Sequence, residues 1–107
     1  MNKLLSTFGL VRRAARLSIG LNETVSSAKS GAAKLIAYAN DVSPKTAKEA
    51  RFNGTKYNIP TIEIDCTMEE LSAAIGVKAG VVAVNDKGFA EKLYSLYELT
   101  RKDESAI

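Results

Sequence analysis

Apolar residues recur along this chain with two different spacings, which predict alternating helices and strands. A spacing of three and four across residues 2–15 predicts an amphipathic helix whose apolar face holds Leu4, Leu5, Phe8, Val11 and Ala15. Alternation of apolar and polar positions in "RLSIG" predicts a short strand at 17–19. Two fully apolar runs, at 35–39 and 81–84, predict central strands that are covered on both faces.

Polar residues and glycines mark where the next two helices begin and end. Asn22 is placed to cap a helix that Gly31 ends, although this helix has few apolar side chains to bury. Ser43 and Pro44 are typical of the N-cap and first position of another helix. We expect that helix to end at Gly54.

The second half of the chain continues the alternation. Residues 61–64 alternate apolar and polar positions and predict a half-buried strand. Thr67 and Glu70, three residues apart, form the sequence pattern of a capping box, and Gly76 fits the end of that helix.

A last helix is predicted after Asn85 or Asp86, either of which can cap it. Its inward face is predicted to hold Phe89, Leu93, Leu96 and Tyr97. The whole pattern predicts an α/β fold, a three-layer α/β/α sandwich with a small mixed central sheet of about four strands. The chain of 107 residues fits one domain over residues 1–100 and a solvated tail over residues 101–107.

Charge is unevenly distributed along the chain. Residues 1–56 hold ten basic and three acidic residues, a net charge of +7, whereas residues 57–107 hold five basic and nine acidic residues, a net charge of −4. This asymmetry favours a basic face that binds a polyanion. Folding that interleaves the two halves would disperse the charge, and composition does not decide between these alternatives.

The chain has no histidine and one cysteine, Cys66, which excludes several kinds of chemistry. Without histidine, Ser-His and Cys-His nucleophiles and the usual zinc sites cannot be assembled. We therefore expect no enzymatic activity, no metal ion, no cofactor and no small-molecule substrate. Cys66 fits a small, partly buried apolar residue better than a reactive thiol.

No apolar run is long enough to span a membrane. The N-terminal segment differs from a signal peptide because Arg12, Arg13 and Arg16 follow its apolar run instead of preceding it. We expect a cytoplasmic protein that acts as a monomer and has no membrane partner.

Acidic residues give little support to catalysis. Glu63 and Asp65 alternate with apolar residues and should therefore face solvent. Asp41 follows an apolar strand, as the phospho-acceptor of response-regulator domains does. Those domains also need an acidic pair after their first strand, and here Glu23 is the first acidic residue of the chain.

Three loops are expected at one edge of the sheet: the loop before Asn22, the loop after Tyr38, and "GVKAG" before the last strand. The helix N-terminus in the first loop offers backbone N–H groups to a phosphate, and Gly20 allows close approach. Asn22 has both a donor and an acceptor, and Glu23 can accept hydrogen bonds from the N1–H and N2–H₂ of guanine. The same two residues also fit plain helix capping.

Three segments, "GLNETV", "KLIAYANDVSP" and "AIGVKAGVVAV", resemble in order and spacing the superfamily of small ribosomal proteins that bind kink-turn RNA. Its members include archaeal and eukaryotic large-subunit proteins and a human spliceosomal protein. The segment "VVAVNDKGFAEKL" is most similar to the bacterial YlxQ-like branch. The resemblance covers about residues 4–97 and implies an α/β/α sandwich that binds an internal loop with tandem sheared G·A pairs.

The resemblance also implies a set of RNA-binding residues. The family's Gly-x-Asn-Glu motif contacts guanines and phosphates, and Asp41 matches an aspartate that positions its loop. The small-residue loop before the last strand packs on a flipped-out base in this family. The residues expected to bind RNA are Gly20, Leu21, Asn22, Glu23, Thr24, Ser26, Lys29, Lys34, Asp41, Val77, Lys78, Ala79 and Gly80.

Two positions depart from the pattern of strong kink-turn binders. Ser26 stands where a lysine is usual, and Ile19 stands where a lysine often precedes the glycine. Lys29 adds charge one turn further along the helix. Because fewer cations release fewer counterions, we expect weaker or differently targeted binding to structured RNA, either ribosomal RNA in the ribosome or a regulatory kink-turn.

Two other classes of function remain open. A protein–protein interaction module that has lost specific RNA binding agrees with Ser26, Ile19 and the acidic second half. An enzyme of the receiver or nucleotide-binding kind would need phosphorylation of Asp41 or a glycine-rich phosphate loop, and neither G-x-G-x-x-G nor a P-loop lysine pattern is present.

Overall fold

The structure, a computed structural model, describes the backbone of residues 2–105 and the side chains of residues 2–100. Helices and strands alternate along this part of the chain. The elements are α1 (Lys3–Arg13), β1 (Leu17–Ile19), α2 (Leu21–Ser30), β2 (Leu35–Tyr38), α3 (Pro44–Lys56), β3 (Thr61–Glu63), α4 (Met68–Ile75), β4 (Val81–Val84) and α5 (Lys87–Ser105).

The four strands form one mixed sheet in the order β1–β4–β2–β3. Strand β2 pairs in parallel with β3, and β4 pairs antiparallel with both β1 and β2. All residues of β2 and β4 are buried. The prediction that these two apolar runs are the central strands, covered on both faces, is therefore confirmed.

Helices cover both faces of the sheet. Successive residues of a strand point to opposite sides, so each central strand contributes side chains to both helical layers. Leu35 and Ala37 of β2 face α1, α4 and α5, whereas Ile36 and Tyr38 face α2 and α3. The predicted three-layer α/β/α sandwich with a four-stranded mixed sheet is confirmed.

The two helical layers bury side chains of different size. In the layer of α1, α4 and α5, which we call the large-residue layer, the fully buried side chains include Phe8, Val11, Leu71 and Leu93. In the layer of α2 and α3, which we call the alanine layer, the buried apolar side chains of the helices are Ala28, Ala47 and Ala50. The short, polar sequence of α2 is thus sufficient for a helix that lies close to the sheet.

Four helices begin with the side-chain caps typical of helix N-termini. Asn2 accepts hydrogen bonds at the start of α1, and Ser43 accepts one from the Thr46 N–H. Thr67 forms the predicted capping box at the start of α4. Asp86 precedes α5 and accepts from the Phe89 N–H at 2.8 Å, so the cap is Asp86 rather than Asn85.

Helix α2 begins differently from the prediction. Its N-cap is Gly20, and Asn22 lies at the second helical position. Gly20 has φ of 92° and ψ of 161°, a backbone conformation that side-chain-bearing residues rarely adopt. The expectation that Asn22 caps this helix is wrong, because the chain turns two residues earlier. The predicted end at Gly31 is confirmed by its left-handed C-cap conformation.

Gly54 does not end α3, which continues to Lys56. Gly54 is buried, and a Cβ atom at this position would collide with the Thr61 hydroxyl of β3. The glycine therefore allows close packing of a helix on a strand, a role that local sequence does not distinguish from a helix end.

The last helix extends further than expected. Helix α5 continues through Ser105, so residues 101–105 of the predicted tail have helical backbone. Residues 106 and 107 lie outside the described residues.

Candidate nucleic-acid interface

Three loops meet at the edge of the sheet where β1 and β2 end and β4 begins. The Gly20 N–H donates to the Val81 carbonyl at 2.8 Å, and the Ala39 N–H donates to the Gly80 carbonyl at 2.9 Å. These bonds fix the N-terminus of α2, the loop after β2 and the loop before β4 relative to one another.

The first turn of α2 presents backbone N–H groups at this edge. The opening N–H groups of a helix have no intrahelical acceptor, and Gly20 supplies no side-chain cap. The positive end of the helix dipole adds to their attraction for an anion. The start of α2 therefore offers a phosphate the donors that caps satisfy in the other helices.

Two exposed side chains flank these N–H groups. Asn22 and Glu23 lie in the first turn of α2 and are both exposed. Among the residues that the structure describes, neither side chain has a hydrogen-bond partner. An amide and a carboxylate without partners provide donors and acceptors for the edge of a base.

The exposed face of α2 continues towards its C-terminus. Ser26 lies four residues after Asn22, and Lys29 lies three residues after Ser26; both are exposed. These spacings place the three residues on one side of the helix. At 1.5 Å per residue, Lys29 lies about 10 Å from Asn22 along the helix axis. The charge of Lys29 therefore lies away from the first turn.

Thr24 faces the interior. Its side chain is 0% exposed, its N–H donates to the Gly20 carbonyl, and its Oγ1 atom is buried without a hydrogen-bond partner in the described residues. The expectation that Thr24 contacts RNA does not agree with this geometry, because its side chain is buried and its N–H is already bonded to a carbonyl.

Asp41 ties the loop after β2 to α4. Its Oδ1 atom accepts a hydrogen bond from the Met68 N–H at 2.8 Å, at the first residue of α4. The neighbouring Asn40 donates to the Asp65 carboxylate at 3.3 Å. Asp41 thus holds the loop after β2 against the start of α4.

The loop of residues 77–80 has an exposed half and an anchored half. Val77 and Lys78 are exposed, whereas Ala79 is buried. The Ser72 hydroxyl accepts from the Ala79 N–H at 3.0 Å and donates to the Ala79 carbonyl at 3.3 Å. Val77 and Lys78 are therefore the side chains of this loop that can meet a ligand.

Close packing holds Gly80 in place beside these loops. A Cβ atom at Gly80 would lie 2.8 Å from both the Met68 sulfur and a methyl carbon of Val42. Sequence reasoning did not identify Met68 or Ser72 as supports of the loop, since neither residue type nor spacing distinguishes them from ordinary helix residues.

Lys34 lies at the opposite edge of the sheet. Its N–H donates to the carbonyl of Val84, the last residue of β4, and its ammonium group donates to the Gly31 carbonyl at 3.1 Å. It lines a cavity of about 740 Å³ between the C-terminal end of α2 and α5. Because β2 separates Lys34 from the three loops, the structure does not bring it to the candidate interface.

Cys66 is buried, as expected for a packed thiol. Burial, and then the nearby carboxylates of Glu70 and Asp65, raise the pKa of this thiol. A raised pKa keeps the group protonated and unreactive at neutral pH. Among the described residues, no group of His, Cys, Asp and Glu side chains is arranged to hold a metal ion, and no helix has the length and apolar character needed to cross a membrane.

The sequence matches the model of the ribosomal protein L7Ae/L30e/S12e/Gadd45 family over residues 2–94. It is 31% identical over 96 residues to the RNA-binding protein YlxQ of Enterococcus faecium, covering 90% of this chain and 92% of that protein. It is 34% identical over 91 residues to the RNA-binding protein YlxQ of Bacillus subtilis (strain 168), covering 84% and 90%.

The fold is shared with solved structures, among them the following two. A protein of unknown function from Bacillus halodurans is 30% identical with a TM-score of 0.87, over 92% of this chain and 99% of that one. The Giardia lamblia 15.5kD RNA-binding protein has a TM-score of 0.74 at 18% identity, over 98% and 88%, a likeness of fold alone. On the match over residues 2–94 and these two bacterial relatives, the chain belongs to the ribosomal protein L7Ae/L30e/S12e/Gadd45 family.

Proposed function

We propose that this protein is a non-enzymatic RNA-binding protein that recognises a structured RNA such as a kink-turn with tandem G·A pairs. The observation that carries the proposal is the first turn of α2, where Gly20 leaves the N–H groups without a side-chain cap and Asn22 and Glu23 are exposed without partners. The names of the two YlxQ relatives support RNA as the ligand.

The chemistry of this turn fits a guanine edge beside a phosphate. The backbone N–H groups bind the phosphate oxygens, and the Asn22 amide both donates and accepts. The Glu23 carboxylate would repel a phosphate, but it can accept from the N1–H and N2–H₂ groups of one guanine. In a Watson–Crick pair guanine uses its N1–H and one N2–H, whereas in a sheared G·A pair it uses one N2–H and leaves the N1–H and the other N2–H free. Glu23 therefore provides selection for non-canonical pairing.

The first turn of α2 has little positive charge around it. Ser26 presents a hydroxyl, and Ile19 packs its side chain against the large-residue layer. Lys78, in the loop of residues 77–80, is the exposed cation placed at this edge by that loop. We therefore expect this turn to contribute specificity through hydrogen bonds and only a shallow dependence of affinity on salt.

The remaining RNA contacts follow from the position of the loops. Val77 and Lys78 would lie against a base displaced from the internal loop, with Leu21 at the start of the helix and Asp41 holding the loop after β2 in place. We propose that the protein works as a cytoplasmic monomer on ribosomal RNA or a regulatory kink-turn.

The test compares one kink-turn RNA with a copy whose G·A pairs are replaced by Watson–Crick pairs. Fluorescence anisotropy should show tighter binding of the kink-turn by the wild-type protein. Glu23→Gln keeps the size of the side chain but replaces one acceptor oxygen with a donor, so it should remove most of this preference. Glu91→Gln, at an exposed position of α5, is the matched control. Equal affinity of the wild type for both RNAs would overturn the proposal.

A second candidate, a protein–protein interaction module, is favoured by the lack of a lysine at Ser26 and Ile19. A salt titration separates the two. Phosphate contacts predict that affinity falls with log[salt], with a slope of about −0.7 to −0.9 for each phosphate bound. No measurable RNA binding at about 50 mM salt would favour the protein partner.

A further inference from the structure

Helix α3 carries a basic exposed stripe beside the candidate interface. Lys45, Lys48, Arg51 and Lys56 are all exposed, whereas Ala47, Ala50 and Gly54 on the other side are buried. Within residues 44–56 the acidic residue is Glu49, which is half-buried. At 1.5 Å per residue, the stripe from Lys45 to Lys56 is about 16 Å long.

An aromatic ring lies within this stripe. Phe52 is 63% exposed, an unusual position for a phenylalanine. The Lys56 ammonium group lies 6.0 Å from the centre of the Phe52 ring and 5.4 Å from that of Tyr57. Arg51 donates to the Tyr38 hydroxyl at 3.0 Å, which holds its guanidinium beside the helix.

The stripe is continuous with the candidate interface. Helix α3 begins just after Asp41 and lies beside α2 in the alanine layer. Helix α2 follows β1 and helix α3 follows β2, and both strands end at the edge where the three loops meet, so both helices start there. Each helix ends at the opposite edge, where β2 follows α2 and the parallel strand β3 follows α3. A nucleic-acid strand that leaves the start of α2 can therefore follow α3 without crossing the sheet.

A row of cations around an exposed aromatic ring is the chemistry of single-strand binding. Basic side chains follow the phosphates, and an unpaired base stacks on the ring. Protein interfaces instead deplete lysine from their buried centres. Charge and the exposed ring together favour a nucleic acid over a protein surface.

We propose that the stripe of Lys45, Lys48, Arg51, Phe52 and Lys56 binds a single-stranded RNA segment that flanks the structured element, with one base stacked on Phe52. This inference rests on the proposed function and extends its footprint along α3. Phe52 is the stacking residue, and the four basic side chains contact the phosphates.

The test uses the full chain and four RNAs: a blunt kink-turn, two copies of it with an unpaired extension on one strand or on the other, and the extension alone. The wild type should bind one of the extended RNAs more tightly than the blunt one. Phe52→Ala should weaken binding of that RNA by about fivefold or more, which is the lower end of the effect expected for loss of one stacked base. The affinity for the blunt RNA should be unchanged. Leu99→Ala removes another apolar side chain of similar exposure, 58%, and should change neither affinity.

A second variant reports stacking directly. The protein has no tryptophan, so Phe52→Trp introduces a single fluorophore at the site. This variant should bind the extended RNA with wild-type affinity, and the extended RNA should quench the tryptophan fluorescence. The blunt RNA should not quench it.

The outcomes separate this inference from the proposed function. If kink-turn preference is absent but Phe52→Ala weakens binding of the single strand alone, the α3 site stands and the proposed function fails. If kink-turn preference is present and the extension adds nothing, or Phe52→Trp is not quenched, the α3 site is overturned. In that case the exposed ring is assigned to a protein partner.

Discussion

On one face of the sheet, α1, α4 and α5 bury large side chains such as Phe8, Leu71 and Leu93, and on the other face α2 and α3 bury mainly alanines. Hydrophobic stabilisation is roughly proportional to the apolar area removed from water. The large-residue layer should therefore supply most of the free energy of folding. The alanine layer contributes less and presents the exposed polar and basic side chains of the candidate interface.

The starts of α4 and α2 show the same contrast on a smaller scale. Thr67 and Glu70 close a capping box at the start of α4 and use the N–H groups there. Gly20 leaves the N–H groups of α2 without such a cap. The start of α4 therefore satisfies its own donors, whereas the start of α2 keeps donors that a ligand can use.

The largest expected effect tests the difference in stabilisation between the two helical layers. Phe8→Ala should lower the free energy of unfolding by about 3–5 kcal/mol, because the side chain is fully buried and leaves a cavity. Ala50→Gly, an equally buried site in the alanine layer, should cost about 1 kcal/mol through helix propensity. Urea unfolding measures the free energy of unfolding of both variants. Equal decreases would contradict the conclusion that the large-residue layer supplies most of the stability.

The next effect concerns the start of α2. Gly20→Ala should lower the free energy of unfolding by about 1–3 kcal/mol, because alanine is strained at a φ of 92°. No atom lies within 4 Å of the added Cβ, so the cost comes from the backbone alone. RNA affinity measured well below the unfolding temperature should also fall as the turn shifts. Retained stability and affinity would show that another conformation serves equally well.

Much of the fold could be predicted because it depends on local patterns. Burial of β2 and β4 follows from their own apolar residues, and the start of α4 follows from its own capping-box residues at Thr67. Neither prediction needs information from distant parts of the chain. The errors occurred where one residue type has two uses. Gly54 is typical of a helix end but here allows α3 to pack on β3, and Asn22 is typical of an N-cap but here lies inside the helix.

The candidate site could be predicted only in part, because local sequence does not determine which distant segments lie close together in the fold. The bonds from Gly20 to Val81 and from Ala39 to Gly80 bring together the three loops that were expected at one edge of the sheet. Lys34 was expected among the RNA-binding residues but lies at the opposite edge of the sheet. Thr24 was expected there from its position in the motif, and the helical rotation turns it inward.

A smaller effect tests whether Thr24 serves the fold alone. Thr24→Val keeps the shape of the side chain and removes a buried hydroxyl that has no hydrogen-bond partner in the described residues. It should raise the free energy of unfolding by about 1 kcal/mol, since an unsatisfied buried hydroxyl is costly. RNA affinity should be unchanged. Thermal unfolding and anisotropy measure the two quantities, and a loss of RNA affinity would return Thr24 to the interface.

The smallest effect on stability is expected at Ser26, where a cation can be added to the alanine layer. Ser26 is exposed on the same side of α2 as Asn22, so Ser26→Lys should change the free energy of unfolding by less than about 0.5 kcal/mol. It should tighten kink-turn binding and steepen the slope of log K against log[salt] by about 0.7 to 0.9, the value for one added phosphate contact. Ser95→Lys adds the same charge on α5 and should leave the slope unchanged. If both variants steepen the slope equally, net charge attracts the RNA, and α2 has no special place in the interface.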